Sequence, residues 1–147
     1  MGMQAYHNAM MKNLKPNEVT FGIMIKIYGI SRELDKAFEL LDLMQAYDIT
    51  PSIVIYTNLI HNSFYNQSVR RAELAYTLFK KRYPSGGDSL MYSKLINGLM
   101  QFRVYKKVPY YLQQTLKDKC TLNDNLIELI KKKMGDYDLR NELEQVE

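Results

Sequence analysis

The sequence predicts an all-α fold made of stacked antiparallel helix pairs. Aromatic residues that open similar apolar segments recur at Phe21, Tyr56 and Tyr92, which are 35 and 36 residues apart. Pro16 and Pro51 are also separated by 35 residues, so the prolines that end the helical segments follow the same period. A fixed period of this length is typical of supersecondary units that each bury an apolar face against a neighbour. Function is therefore expected on a repeated surface rather than in one pocket.

Composition and charge narrow the class of protein. The chain has 147 residues, of which 46% are apolar, so it can bury a sizeable core. Its formal net charge is +4, but residues 135–147 carry five acids and one arginine, a balance of −4, which leaves +8 on residues 1–134. The single cysteine, Cys120, cannot form an internal disulfide, and no run of about 18 apolar residues is present. These features favour an intracellular protein outside the membrane, with a basic body that suits an anionic partner.

The period divides the chain into one helical-repeat domain, 1–147, with five segments. A partial repeat is followed by two complete repeats, a degenerate repeat and a pair of C-terminal capping helices. Their predicted boundaries are 3–17, 18–52, 53–88, 89–123 and 124–147. The first segment corresponds to the second helix of a repeat whose first helix is missing, so an apolar face would be uncovered. We therefore expect the chain to be a fragment of a longer protein.

The first complete repeat predicts two helices. Residues 19–30 are apolar on more than one side, as expected for a helix packed between neighbours. Residues from about 32 to 47 carry one apolar stripe, and their charged residues face mostly towards water. Ser31 is expected to cap this second helix, and the small side chain of Ala37 is expected to let the two helices approach closely.

The later repeats follow the same plan with two departures. Ala72 lies 35 residues after the alanine of the first repeat, but the connector 83–88 is one residue longer than its predecessor. In the third repeat Val108 stands where the small alanine is expected, and Pro109 belongs in the first turn of a helix. The second helix of this repeat is therefore predicted either to begin late, near Lys107, or to kink.

The repeated residues resemble the pentatricopeptide repeat family over about residues 3–123. The resemblance rests on the periodic aromatic residue, the alanine, a methionine late in the second helix, the proline turn and the pairs Met24-Ile25, Leu59-Ile60 and Leu95-Ile96. Tetratricopeptide repeats are the nearest competitor, with a 34-residue period and a Trp-Leu-Gly opening. Neither that period nor that opening occurs here.

The resemblance implies a right-handed α-solenoid whose first helices line a concave face that binds single-stranded RNA. In this family two side chains read one base per repeat, namely the residue after the aromatic on the first helix and the last residue of the repeat. The corresponding pairs are Gly22 with Ser52, Thr57 with Asp88, and Ser93 with Asn123, with Asp124 as an alternative to Asn123. The residues expected to pack on the bases are Val19, Val54 and Leu90.

The resemblance also implies which bases are read. Thr57 with Asp88 resembles the guanine-reading pair of the family, and Ser93 with Asn123 resembles an adenine-reading pair. Gly22 departs from the pattern, because it has no side chain to donate or accept a hydrogen bond.

The same residues have structural interpretations. Ser52 and Asp88 are equally suited to be helix N-caps, which require the same residue types at the same place. Small polar residues such as those after the aromatic also favour helix starts for local hydrogen bonding. Lys26 and His61 lie 35 residues apart on first helices, and we expect them to face the same side and to contact phosphate.

The sequence gives no indication of an enzyme or of a cofactor. His7, His61 and Cys120 lack metal-ligand spacing, and the chain has no glycine-rich phosphate loop. Besides RNA binding, two functions remain open: a protein–protein interaction scaffold, and the RNA-binding arm of a larger RNA-processing enzyme. Uncovered repeat ends also allow protein partners or an end-to-end homodimer. The family resemblance implies the mitochondrion or another organelle, although the chain shows no targeting peptide.

Overall fold

Residues 16–135 and residue 146 are described by the computed structural model. They contain seven α-helices, one short 3-10 helix over Tyr105–Lys107 and no β-strand. The α-helices are α1 (Glu18–Ile30), α2 (Leu34–Ala46), α3 (Ile53–Tyr65), α4 (Val69–Arg82), α5 (Ser89–Gln101), α6 (Val108–Lys117) and α7 (Asp124–Lys133). The prediction of an all-α fold is therefore confirmed. Most of the predicted partial repeat at 3–17 and of the chain after Gly135 lies outside the described residues.

Helices pack in pairs within each of two compact units, which comprise residues 1–75 and 76–147 and divide within α4. In the first unit α1 packs against α2 and α3. In the second unit α5 packs against α6 and α7. Each unit therefore contains the predicted stacking of a first helix on its partner and on the next first helix. No helix in the described part of the chain is long and apolar enough to cross a membrane.

The first helices begin in a constant register, and each begins with a side-chain cap. Helices α1, α3 and α5 are each 13 residues long, and they start at Glu18, Ile53 and Ser89. Helix α7 starts at Asp124, 35 residues after α5, where a further first helix would start. The N-cap side chains that accept a hydrogen bond from a backbone amide of the first turn are those of Asn17, Ser52, Asp88 and Asn123. Capping satisfies amides that have no partner within the helix.

Ser31 does not cap the second helix, so that prediction is wrong. It is the C-cap of α1, and Glu33 precedes α2 without a capping hydrogen bond from its side chain. The reason is that the three residues between the helices close α1 in a Schellman motif. The amide of Glu33 donates to the carbonyl oxygen of Tyr28 at 2.9 Å, while Arg32 takes a left-handed φ of 62°. Helix α2 therefore begins at Leu34, later than expected.

The same closure recurs at five helix ends without glycine. Each has a left-handed residue followed by an amide that donates to the carbonyl oxygen five residues earlier. The left-handed residues are Arg32, Asp48, Gln67, Arg103 and Lys119. A non-glycine residue in this conformation costs about 1–2 kcal/mol. The hydrogen bonds that satisfy the last carbonyls of each helix offset this cost.

The positions predicted to hold small residues are buried. Ala37, Ala72 and Val108 have no exposed side-chain surface, although valine is larger than alanine. Helix α6 begins at Val108 after the 3-10 turn and carries Pro109 in its first turn. Of the two predicted alternatives, a late start or a kink, the structure shows the late start. The proline lies where its missing N–H needs no partner.

Two asparagines join α3 to α1 in the first unit. Asn62 is buried, and its side-chain amide donates to the carbonyl oxygen of Ile25 at 3.0 Å. One turn later, Asn66 donates to the carbonyl oxygens of Gly29 and Asn62 at 3.0 and 2.8 Å. Gly29 makes this approach possible, because a Cβ there would lie 2.6 Å from both Nδ2 and Oδ1 of Asn62. The asparagine amides thus supply directional contacts inside an otherwise apolar layer.

An ionic cluster takes this role in the second unit. Asp118, whose side chain is only 4% exposed, accepts a hydrogen bond from Tyr92 and forms a 2.8 Å ion pair with Lys80. Lys80 also donates to the carbonyl oxygen of Gly86 at 2.8 Å, and the hydroxyls of Tyr76 and Tyr92 are 3.1 Å apart. The cluster therefore holds the connector 83–88, which is one residue longer than its predecessor.

Burial raises the pKa of the tyrosines in this cluster. The pKa of Tyr76 rises to about 12, because burial disfavours its charged form. The pKa of Tyr92 is also raised, first by burial and then by the hydrogen bond with Asp118. Both tyrosines are therefore neutral in the folded protein well above pH 10.

Candidate nucleic-acid interface

An apolar side chain is exposed at the second position of each of three first helices. Val19 of α1, Val54 of α3 and Leu90 of α5 are 68%, 58% and 59% exposed. The aromatic residues two positions further along are buried, so these three residues are not part of the core. An exposed apolar residue repeated in one register is a suitable platform for the face of a planar ligand. These are the residues that the sequence predicts to pack on bases.

The residue after each aromatic differs between the three helices. Thr57 is buried, with 7% exposure, yet its hydroxyl forms no hydrogen bond among the described residues. The other buried hydroxyls behave differently, since Ser63 and Thr115 donate to the carbonyl oxygens of Leu59 and Tyr111. A hydroxyl that does not form this hydrogen bond to a carbonyl of its own helix can form one with a ligand.

Ser93 repeats the behaviour of Thr57 in the second unit. Its side chain is half-buried, and its hydroxyl also forms no hydrogen bond among the described residues. Gly22, at the same register in α1, has no side chain. A Cβ added there would lie 3.8 Å from Cδ1 of Ile55, an ordinary contact, so packing does not require the glycine.

The last residues of the repeats are N-caps of the helices that follow them, as the sequence predicts for Ser52 and Asp88. Ser52 accepts from the amide of Val54 at 3.2 Å and donates to the carboxylate of Glu18, which occupies its hydroxyl proton. Asp88 accepts from the amide of Met91 through one carboxylate oxygen. Asn123 accepts from the amide of Leu126 through Oδ1. Capping therefore leaves one oxygen of Asp88 and the amide nitrogen of Asn123 available.

A groove in the second unit brings one predicted set together. It has a volume of about 400 Å³, and its lining includes the predicted packing residue Leu90 and both predicted readers, Ser93 and Asn123. The other residues that line it are Lys94, Asn97, Asn125, Leu126 and Leu129. The groove thus combines an apolar side, uncharged donors and acceptors, and one positive charge.

The pair predicted for the first repeat lacks the reading groups seen in this groove. Gly22 and Ser52 lie in the first unit, but one lacks a side chain and the other already donates to Glu18. Thr57 belongs to the first unit and Asp88 to the second, so their pairing stays a prediction. A second cavity, of about 490 Å³, lies between α1 and α2 and is lined by none of the predicted site residues.

The predicted phosphate contacts are exposed. Lys26 on α1 and His61 on α3 both lie four residues after the register of the predicted readers. Asn97 occupies the same register on α5 and lines the groove, which sequence reasoning missed. The 35- and 36-residue spacing from Lys26 through His61 to Asn97 is the signal that identifies this row. Asp124, the alternative to Asn123, is the first residue of α7 rather than its cap.

Residues suited to metal binding are not clustered in the part of the chain that the structure describes. No group of three or more histidine, cysteine, aspartate or glutamate side chains there is placed to hold an ion. Cys120 is a partly buried free thiol whose pKa is raised by burial, so it is a weaker nucleophile than an exposed thiol.

Two models of one repeat family match the chain. The model described as PPR repeat matches residues 12–45, and the model described as pentatricopeptide repeat domain matches residues 39–82. These matches cover the first repeat and most of the second, where the periodicity of the sequence is clearest.

Relatives with the same repeats include two proteins of Arabidopsis thaliana. The chain is 28% identical, over 125 residues, to a chloroplastic pentatricopeptide repeat-containing protein; the match covers 84% of this chain and 13% of that protein. A mitochondrial pentatricopeptide repeat-containing protein is 30% identical over 91 residues, which are 62% of this chain and 17% of that protein. The chain therefore spans less than a fifth of the length of these relatives.

The fold is shared with a solved repeat protein. The crystal structure of the pentatricopeptide repeat protein PPR10 from maize matches with a TM-score of 0.72 and 14% sequence identity. The match covers 95% of this chain and 21% of that chain. At this identity, the similarity demonstrates the helical-repeat fold.

Proposed function

Because the chain belongs to the pentatricopeptide repeat family, we propose that it binds single-stranded RNA without catalysing a reaction on it. The groove of the second unit is the observation that carries the proposal. Leu90 offers an apolar platform, while the Ser93 hydroxyl and the side-chain amide nitrogen of Asn123 form no hydrogen bond among the described residues. RNA proteins of this kind splay single-stranded bases and read their edges with a few side chains.

The chemistry of the second-unit groove suits adenine. The side-chain amide nitrogen of Asn123 can donate to a ring nitrogen of the base, and the Ser93 hydroxyl can donate or accept. Adenine presents one acceptor and one donor along its Watson–Crick edge, so two such groups satisfy it. At the preceding position, the reading of guanine by Thr57 with Asp88 stays a proposal from the family pattern, since both side chains can accept hydrogen bonds from the donors of guanine.

Positive charge is expected to add affinity that does not depend on sequence. Lys26 is exposed, and Lys94 lines the groove. Each phosphate that a cation neutralises releases counterions, so binding weakens as salt rises. The site holds only two or three bases, and the side chains that pack on them are aliphatic, so each contact is weaker than the stacking of a base on an aromatic ring. We therefore expect weak binding that this electrostatic part strengthens.

Fluorescence anisotropy with short RNA and DNA oligomers of equal length, over a salt series, tests the proposal. We expect RNA to bind more tightly than DNA, and adenine-containing RNA to bind more tightly than oligouridine. Ser93→Ala should weaken binding of the adenine-containing RNA about fivefold, the effect of one hydrogen bond. Ser85→Ala, an exposed serine in the connector, is the matched control and should change nothing. Equal binding of RNA and DNA with a purely salt-dependent affinity would contradict the proposal.

The named relatives are the basis for proposals about the cellular compartment and about the parent protein. One relative is named chloroplastic and the other mitochondrial, so we propose an organellar RNA as the partner, with the mitochondrion as one candidate compartment. The relatives are several times longer than this chain, which is consistent with a binding segment of a larger protein, including the arm of an RNA-processing enzyme. Imaging the full-length gene product fused to a fluorescent protein would decide the compartment.

A protein-binding scaffold is a second candidate function, favoured by the exposed face of α1. Val19, Ile23 and Ile30 are 68%, 46% and 67% exposed, and they follow helical spacing on one side of the helix. Helix α5 has Leu90, Lys94 and Gln101 at the same positions, which is a more polar face. An apolar stripe of this kind fits an amphipathic helix of a protein partner or of a second copy. Sedimentation analysis of the isolated chain, and of Ile23→Glu, would detect such a homodimer.

A further inference from the structure

We propose that Asn58, rather than Gly22, supplies the base-reading side chain of the first repeat. This inference rests on the proposed RNA-binding function and concerns the base held between Val19 and Val54. All of the residues involved belong to the first compact unit. Neither the family pattern nor the periodicity of the sequence points to Asn58, which lies one residue after the predicted reader of its own helix.

Gly22 leaves an open space beside α1. A Cβ built on Gly22 would lie 4.0 Å from Nδ2 of Asn58, so the amide of Asn58 borders the volume that a reading side chain would otherwise fill. Gly22 is half-buried, and apart from its chain neighbours and the backbone of its own helix no atom comes closer to that Cβ than 3.8 Å. The glycine thus lets a polar group of α3, the first helix of the following repeat, approach the reading position.

The side-chain amide of Asn58 is available for hydrogen bonding. The side chain is partly buried, yet neither its donor nor its acceptor forms a hydrogen bond within the described residues. Two later asparagines differ, because Asn62 of α3 and Asn66, which follows α3, donate to carbonyl oxygens of α1. Asn58 therefore does not serve to hold the two helices together. A partly desolvated amide without a partner gains most when a ligand supplies the missing hydrogen bonds.

The surrounding charge selects the class of base. Ser52, the other predicted reader of this repeat, donates its proton to the carboxylate of Glu18, so this reading position presents acceptors and a negative charge. An amide reads adenine well, by accepting from its amino group and donating to the adjacent ring nitrogen. Cytosine has the same donor and acceptor arrangement beside its amino group. The asparagine amide can also pair with the N3–H and a carbonyl oxygen of uracil, but a base with two carbonyl oxygens beside the Glu18 carboxylate is electrostatically disfavoured. We therefore infer a preference for the amino-bearing bases adenine and cytosine over uracil.

Selection from a random RNA pool by the purified chain tests the inference, with base frequencies scored at each enriched position. We expect the wild-type chain to enrich adenine and cytosine at one position. Asn58→Ala should reduce that preference several-fold at this position alone. Thr57→Val is the matched control on the same helix, and it should instead remove the preference at the neighbouring position. Gly22→Thr added to Asn58→Ala should restore selectivity, because the open space accepts a side chain.

The outcomes separate this inference from the proposed function. If the wild-type chain enriches no RNA, the proposed function fails. If it enriches RNA and Asn58→Ala leaves every base preference unchanged, Asn58 is not a reader and the inference is wrong. Circular dichroism melting of each variant establishes that the chain is folded. Asn58→Ala is expected to melt as the wild type does, because the Asn58 amide forms no hydrogen bond in the described part of the chain.

Discussion

The two compact units have the same arrangement of helices, but different polar groups join the helices in each unit. In the first unit, neutral amides of Asn62 and Asn66 bond to carbonyl oxygens of α1, and Gly29 provides the room. In the second unit, a carboxylate, an ammonium group and two tyrosines form a buried cluster around Asp118. A repeat register therefore specifies where helices lie but leaves open which polar groups join them. Each unit is consequently sensitive to different substitutions and different conditions.

Removal of Asp118 should produce the largest loss of stability. Asp118→Asn leaves Lys80 without its ionic partner in a buried site, and breaking such a pair costs about 3 kcal/mol. Urea denaturation followed by circular dichroism measures the change in the free energy of unfolding. The control is Asp35→Asn in the first unit, where Asp35 is 78% exposed in its pair with Arg71 and should contribute under about 1 kcal/mol. Equal effects of the two substitutions would show that the Asp118 cluster does not stabilise the second unit.

Two glycines of α1 should respond in opposite directions to the same substitution. Gly29→Ala drives a Cβ into the buried amide of Asn62, and we expect a loss of about 2 kcal/mol as the hydrogen bond to Ile25 is displaced. Gly22→Ala meets only ordinary contacts and should raise the free energy of unfolding by about 0.5–1 kcal/mol, the difference in helix propensity. Thermal and urea unfolding of both variants checks the signs. A stabilising Gly29→Ala would contradict the close packing of α3 on α1.

Alkaline pH should weaken the ionic cluster of the second unit. Tyr76 and Tyr92 have pKa values raised above the ordinary value of 10.0, so between that pH and the folded pKa the unfolded chain releases protons that the folded chain keeps. Stability is therefore fully present below pH 10 and falls as pH rises towards about 12, by about 1.4 kcal/mol per pH unit for each tyrosine. Urea midpoints measured between pH 9 and 11.5 test this slope.

The Tyr76→Phe variant is the control for that pH dependence. It removes one titrating group and should make the slope shallower by the contribution of one tyrosine. The asparagine contacts of the first unit do not titrate, so they contribute nothing to the slope. An unchanged slope in Tyr76→Phe would mean that other groups dominate the alkaline loss of stability.

Glycine at a left-handed helix end should produce the smallest effect, a gain. Gln67→Gly relieves the steric cost of φ 59° but makes the unfolded chain more flexible, so the expected gain is about 0.5–1 kcal/mol. Gln113→Gly, at an exposed position inside α6, is the matched control and should lose about 1 kcal/mol. Differential scanning calorimetry resolves both shifts. A destabilising Gln67→Gly would show that this side chain stabilises the turn through contacts.

Sequence periodicity predicted the exposed apolar row and the helix starts, because both are local. Val19, Val54 and Leu90 recur with the helices that carry them, and the caps Ser52 and Asp88 follow from residue type. The error at Ser31 has the same origin, since a serine before a helical pattern resembles a cap. Only the Schellman closure at Arg32, which needs the path of the backbone, assigns Ser31 to the preceding helix.

By itself, then, the sequence determined the helical repeat, its register and the family of this protein, because apolar spacing and turn residues act over one or two helical turns. Tertiary structure alone decided which polar side chains are already occupied. It assigns Asn62, Asn66 and Asp118 to contacts within the protein, whereas the side chains of Asn58, Thr57 and Ser93 form no hydrogen bond among the residues that the structure describes. The physical reason is that hydrogen bonding depends on distances between helices, which are set by packing and by side chains that are distant in sequence.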